Sequence, residues 1–257
     1  MSYQTLIFHK QDHVASIDLH EPVRDRAGPE ILIDELSEVS NDIKSDNEPR
    51  VVVITGTIQD SKLTGDRPFV SLIEEEGESI TKPLSFSEHI ADLDRPVIMG
   101  IGGDAIGLGL ELALACDIRI AADTAHFGFP HIKEGLIPWD GGTQRLSRVI
   151  GQAKAMEMIL TGEVIDAEEA YRIGLVSKVV AHDAVMKTAM EIAQTMASKG
   201  PIALRYTKEA IHKGMDLTLE QGLRLEADLY FLLHTTKDRT EGIKAFQEKR
   251  KPEFEGR

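Results

Sequence analysis

Residues 100–116 read GIGGDAIGLGLELALAC, a crowd of glycines that runs without a break into an apolar, helix-like segment, Leu108–Cys116. Glycine has no Cβ, so a turn of this kind can bring backbone N–H groups close to a ligand oxygen. The helix that follows aims the positive end of its dipole at the same place. Upstream, Pro96–Ile101 is a short apolar run that suits a buried strand, and downstream Asp117–Ala122 suits another. The loop Phe127–Gly142 then carries His131, Lys133, Glu134, Trp139 and Asp140. One compact unit therefore combines an oxyanion site, a carboxylate (Glu111) one helical turn inside it, and a loop with further ionisable groups. That is equipment for chemistry beside a carbonyl.

Glu111 sits in an otherwise apolar helix, LELALAC, where a lone carboxylate must be paired or protonated. Burial raises its pKa toward the range useful for proton transfer, unless a basic neighbour such as Arg145 takes it as a structural partner. His131 titrates near neutrality. Asp140 has two readings: it orients His131 in a dyad, or it caps the helix beginning near Gly142. The run from Gly100 to Ala105, with Asp123 about twenty residues on, also fits a loose dinucleotide fingerprint. A hairpin and a βα unit precede it, and Gly107 and Gly109 fall where a nucleotide-binding helix is already regular, so that reading is disfavoured.

The rest of the chain supports one large α/β unit. Thr5–His9 and Val14–His20 read as a hairpin, Glu30–Asn47 as an amphipathic helix, and Arg50–Gly56, RVVVITG, as a strand covered on both faces. Gly151–Leu160 and Asp183–Ser198 have helical spacing, with Leu175–Val180 a short strand between them. Beyond Pro201 strand patterning stops, and helices are expected over Pro201–Lys213, Leu217–Leu233 and Lys237–Lys249. The acidic run Glu74–Glu78 reads as a solvated turn. A net charge of −14 argues against nucleic acid as a partner. A single cysteine, Cys116, excludes a disulfide framework, and the absence of a signal-like or membrane-spanning run makes the cytoplasm the expected location.

The stretch GLGLELALACDIRIAADTAHFGFPHIKEGLIPWDGGTQRLSR resembles the core of the crotonase (enoyl-CoA hydratase/isomerase) superfamily. The likeness continues through VIGQAKAMEMILTGEVIDAEEAYRIGLVSKVV and the tail EGIKAFQEKRKPEFEGR. It implies an α/β spiral of βαβ units with two sheets over residues 1–199 and a C-terminal helical subdomain over 200–257, assembled as a homotrimer or homohexamer. It also implies an acyl-CoA thioester as substrate, with coenzyme A part of that substrate and no separate cofactor or metal. By this resemblance the backbone N–H groups of Leu108 and Thr64 form the oxyanion hole, and Glu111 is one of two catalytic glutamates. The position of the second is occupied by His131. Trp139, Arg24, Arg26, Lys249 and Lys251 are candidate substrate contacts, the basic four for the phosphates and adenosine of coenzyme A. Hydration or dehydration of an α,β-unsaturated, even cyclic, acyl-CoA is the leading expectation, with His131 exchanging the second proton. The alternatives are hydrolytic C–C cleavage of a β-dicarbonyl by a His131–Asp140 dyad, or a homologue that binds CoA esters without turnover.

Overall fold

The computed structural model describes residues 3–19, 28–56 and 85–257. Arg24, Arg26, Thr64 and the run Glu74–Glu78 lie outside these residues.

The alternating and β-branched runs near the N-terminus become the first strands. β1 (Leu6–Gln11) and β2 (Val14–Leu19) form an antiparallel hairpin with Leu6 opposite Leu19. The amphipathic helix α1 (Gly28–Ser45) buries Leu32, Leu36, Val39 and Ile43 and leads to β3 (Val51–Gly56). A short helix, α2 (Ser87–Ala91), precedes β4 (Val97–Ile101). With β6 (Ile118–Ala122) and β9 (Lys178–Val180) these make a six-stranded sheet of order β1-β2-β3-β4-β6-β9, parallel after the hairpin.

The central strands are apolar on both sides because both faces are covered. Val52 and Ile54 belong to the main core with α1, whereas Val51 and Val53 join a second cluster under Ala189, Ala193 and Ala197 of α7 (Val185–Ala197). A period of two along β3 thus sends successive valines into different cores.

A second sheet holds β5 (Ala105–Ile106), β7 (His126–Gly128) and β8 (Val164–Asp166). Sequence patterning does not show it: two- and three-residue strands are too short to display a period, and β7 lies partly inside the stretch expected to be loop. In chain order, α3 (Leu108–Ala115) links β5 to β6, α4 (Gly142–Ile150) and α5 (Gln152–Thr161) lie between β7 and β8, and α6 (Ala167–Arg172) links β8 to β9.

From Pro201 the described chain is helical: α8 (Pro201–Gly214), α9 (Leu219–Leu233) and α10 (Lys237–Glu248). Lys208 on α8 reaches the sheet, donating to Asp117 at 2.8 Å and to the Arg95 carbonyl at 3.0 Å. The tail folds back as well. Asp238 accepts from the Glu255 and Gly256 N–H groups, and Arg50 donates to the Phe254 carbonyl at 2.6 Å.

Candidate active site

The glycine-rich turn ends at Gly107, whose φ of 60° and ψ of −122° favour glycine. Its N–H donates to the Gly128 carbonyl on β7, tying the turn to the second sheet. Its carbonyl accepts from Leu110 and Glu111, so α3 starts at Leu108. The Leu108 N–H, in the unsatisfied first turn of that helix, has no acceptor among the described residues. At the other end, Arg119 on β6 caps the helix by donating to the carbonyls of Cys116 at 2.6 Å and Ala113 at 3.3 Å. The helix carrying Glu111 is pinned at both ends.

Glu111 is wholly buried. Its Oε1 accepts from two backbone N–H groups, Asp140 at 2.8 Å and Gly142 at 2.9 Å. Its Oε2 has no partner among the described residues. Its pKa stands at about 7: burial is the main cause of the rise and the Asp140 charge adds to it, while the two N–H bonds and the Arg145 charge act in the opposite direction. Arg145 does not pair with Glu111. Its Nη1 is used on the Ser87 hydroxyl at 2.6 Å and the Asp140 carbonyl at 2.8 Å. The result is an acid with one oxygen held, one oxygen free, and protonation balanced at neutral pH.

His131 lies in a 3-10 turn, Pro130–Glu134, nearly buried, with its ring 5.8 Å from that of Phe129. Its Nδ1 has no hydrogen-bond partner among the described residues, and burial lowers its pKa. Desolvation disfavours the imidazolium and so weights the ring toward its neutral form.

The expected His131–Asp140 dyad is not formed. No hydrogen bond or ion pair joins them, because the Asp140 carboxylate is committed elsewhere. Oδ1 accepts from the hydroxyls of Ser85 at 2.5 Å and Ser87 at 2.9 Å, and Oδ2 from the N–H groups of Phe86 at 3.0 Å and Ser87 at 2.9 Å. Asp140 is a capping residue, as its alternative reading supposed, but of α2 and not of the helix at Gly142. That helix is preceded instead by Gly141 in the left-handed region.

Trp139 is half-buried against the main core. Lys249 ends α10 with φ of 55°, and Lys251 follows two residues on; both are exposed. Arg250 between them pairs with Glu241 and Glu248. Sequence reasoning missed Ser85, Ser87 and Phe129. The serines flank the start of α2 in SFSE, a capping pattern legible once that short helix is suspected. Phe129 carried no signal beyond being apolar.

A sequence model of the enoyl-CoA hydratase/isomerase family matches residues 9–257. The chain belongs to the enoyl-CoA hydratase/isomerase family. A protein of Rhizobium meliloti named as a probable enoyl-CoA hydratase is 39% identical over the full length of both chains. A crotonyl-CoA hydratase of Syntrophomonas wolfei is 35% identical, with 99% of each chain covered. Among solved structures, an enoyl-CoA hydratase of Bacillus anthracis superposes with a TM-score of 0.85 at 36% identity, covering 99% of this chain and 100% of that one. Enoyl-CoA hydratase-like enzyme and crotonase fold are thus shown together. Among the described residues, no helix is long and apolar enough to cross a membrane.

Proposed function

We propose that this enzyme hydrates an α,β-unsaturated acyl-CoA, with Glu111 as the group that moves protons. The observation that carries the reading is Glu111 itself: fully buried, Oε1 fixed by two backbone N–H groups, Oε2 free, and a pKa near 7. Hydratases named among its relatives make an enoyl thioester the substrate class. The thioester carbonyl is held at the Leu108 N–H, with Thr64 supplying a second donor. Each such donor contributes about 3 kcal/mol when the carbonyl oxygen becomes an enolate oxygen.

In this reading the ionised Glu111 takes a proton from water as the hydroxyl bonds to the β-carbon. The enolate then collects a proton at the α-carbon from the same carboxyl. Neutral His131 holds the water through Nδ1. Coenzyme A enters as part of the substrate, and no separate cofactor takes part. Lys249 and Lys251, with Arg24 and Arg26, are the candidate contacts to its phosphates and adenosine, and Trp139 to the acyl group. Homotrimers or homohexamers are proposed as the assembly, consistent with the apolar side chains that α8 and α9 leave uncovered.

The test is a panel of trans-2-enoyl-CoAs, open-chain and cyclic, beside cyclic β-diketones. Hydration of an enoyl-CoA by the wild type, lowered about 10² to 10⁴-fold in Glu111→Gln, is the expected result. Cleavage of diketones with enoyl-CoAs untouched and Glu111→Gln fully active would overturn the reading.

A further inference from the structure

Asp140 is joined to Glu111 in two ways at once. Its backbone N–H donates to Glu111 Oε1 at 2.8 Å, and its buried carboxylate lies close enough to act on the Glu111 carboxyl by charge. The same carboxylate is gripped by Ser85, Phe86 and Ser87, and the carbonyl of Asp140 accepts from the Ser87 hydroxyl at 2.8 Å and from Arg145 at 2.8 Å. The residue that presents the N–H to Glu111 is thereby held through its side chain and through the carbonyl of the peptide that follows.

From this arrangement we infer that Asp140 is a positioning residue for Glu111: its clamp to Ser85–Ser87 fixes the donor that orients Oε1, and its carboxylate keeps a negative charge beside the Glu111 carboxyl. The inference deepens the assignment of Glu111 and rests on it for its catalytic meaning, though not for the contact itself. A fixed carboxylate beside a second carboxyl disfavours ionisation of the second. Asp140 therefore opposes the stabilising effect of the two N–H bonds on the Glu111 anion, and keeps that group able both to take and to return a proton near neutrality.

Among the described residues, the other charged groups on the elements packed around Glu111 are few. On α4, Arg145 acts in the opposite sense and Arg148 is exposed. Packed against the same helix, α2 carries Glu88, which is exposed, and His89, which is half-buried; β5 carries no charge. His131 in the neighbouring 3-10 turn is held toward its neutral form by burial.

Two variants separate the charge from the clamp. Asp140→Asn keeps an amide oxygen able to cap α2 but removes the charge. Ser87→Ala keeps the charge but removes the hydroxyl shared by the Asp140 carboxylate, the Asp140 carbonyl and Arg145. Ionisation of Glu111 is read without substrate, from the infrared carbonyl band of the protonated carboxyl, assigned by its loss in Glu111→Gln. Asp140→Asn should move the midpoint of that band, and the matching limb of the kcat/KM profile, to lower pH. Ser87→Ala should leave the midpoint in place while kcat falls about tenfold or more with KM held, as misplacement of a reacting group does. A midpoint in Asp140→Asn equal to wild type overturns the inference, as does wild-type kcat in Ser87→Ala. Because the band needs no turnover, a protein that proves inactive on enoyl-CoAs still reports whether Asp140 acts on Glu111.

Discussion

At the scale of single residues, the site depends on one carboxyl kept out of water. An acid whose folded-state pKa is raised from 4.5 to about 7 contributes fully to stability below its unfolded value. That contribution is lost as pH rises through the interval between the two values, a loss of about 3 kcal/mol once the folded-state value is passed. Glu111→Gln carries no such loss. Its melting temperature relative to wild type should therefore be higher at pH 8 than at pH 5, and scanning calorimetry at the two pH values checks this. Gly142, one of the two donors to that carboxyl, leaves no room for a side chain. A Cβ there would stand 2.7 Å from the Pro138 Cβ and 2.9 Å from both Glu111 Oε1 and Phe129 Cζ. Gly142→Ala should destabilise by about 1–3 kcal/mol, the usual cost of overpacking, and should lower kcat more than it raises KM. Chemical denaturation beside steady-state kinetics measures both.

At the scale of elements, the placement of Glu111 is set by the two ends of α3. Its N-terminus depends on Gly107, where a side chain strains the backbone by about 1–3 kcal/mol, and its C-terminus on Arg119. Gly107→Ala should weaken the carbonyl site proposed at Leu108. The expected outcome is a fall in kcat/KM for enoyl-CoA larger than any fall in affinity for free coenzyme A, measured by calorimetry. An equal loss in both would place the damage in the fold as a whole. α2 shows how far an element is legible. Phe86, Ile90 and Leu93, in and around it, follow helical spacing and all three are buried, but its cap comes from Asp140, more than fifty residues downstream. A cap supplied across such a separation leaves no local pattern.

At the scale of the whole molecule, the C-terminal helices leave much apolar surface uncovered. Ile211, Leu219 and Phe231 are 63%, 79% and 70% exposed, on a pair of helices, α8 and α9, that pack chiefly on each other. Apolar faces of this kind mark association surfaces. Leu219→Asp combined with Phe231→Asp should shift light-scattering mass from trimer or hexamer toward monomer while leaving the far-ultraviolet dichroism unchanged. A wild type that is monomeric throughout would remove the proposed assembly.

Local sequence was enough for the strands β2 to β4, the helices α1 and α7 to α10, and the buried acid in α3. Each of these rests on short-range physics: period, β-branching, or one carboxylate in an apolar run. The family likeness came from the same central stretch. Tertiary structure decided the surroundings of Asp140 and His131, since both are polar residues in a loop packed against segments from elsewhere in the chain. Packing brought Ser85 and Ser87 to the Asp140 carboxylate and left His131 unpartnered at Nδ1 among the described residues. Hydrogen-bonding capacity is limited, so a carboxylate already gripped by hydroxyls and backbone N–H groups is not available to orient an imidazole.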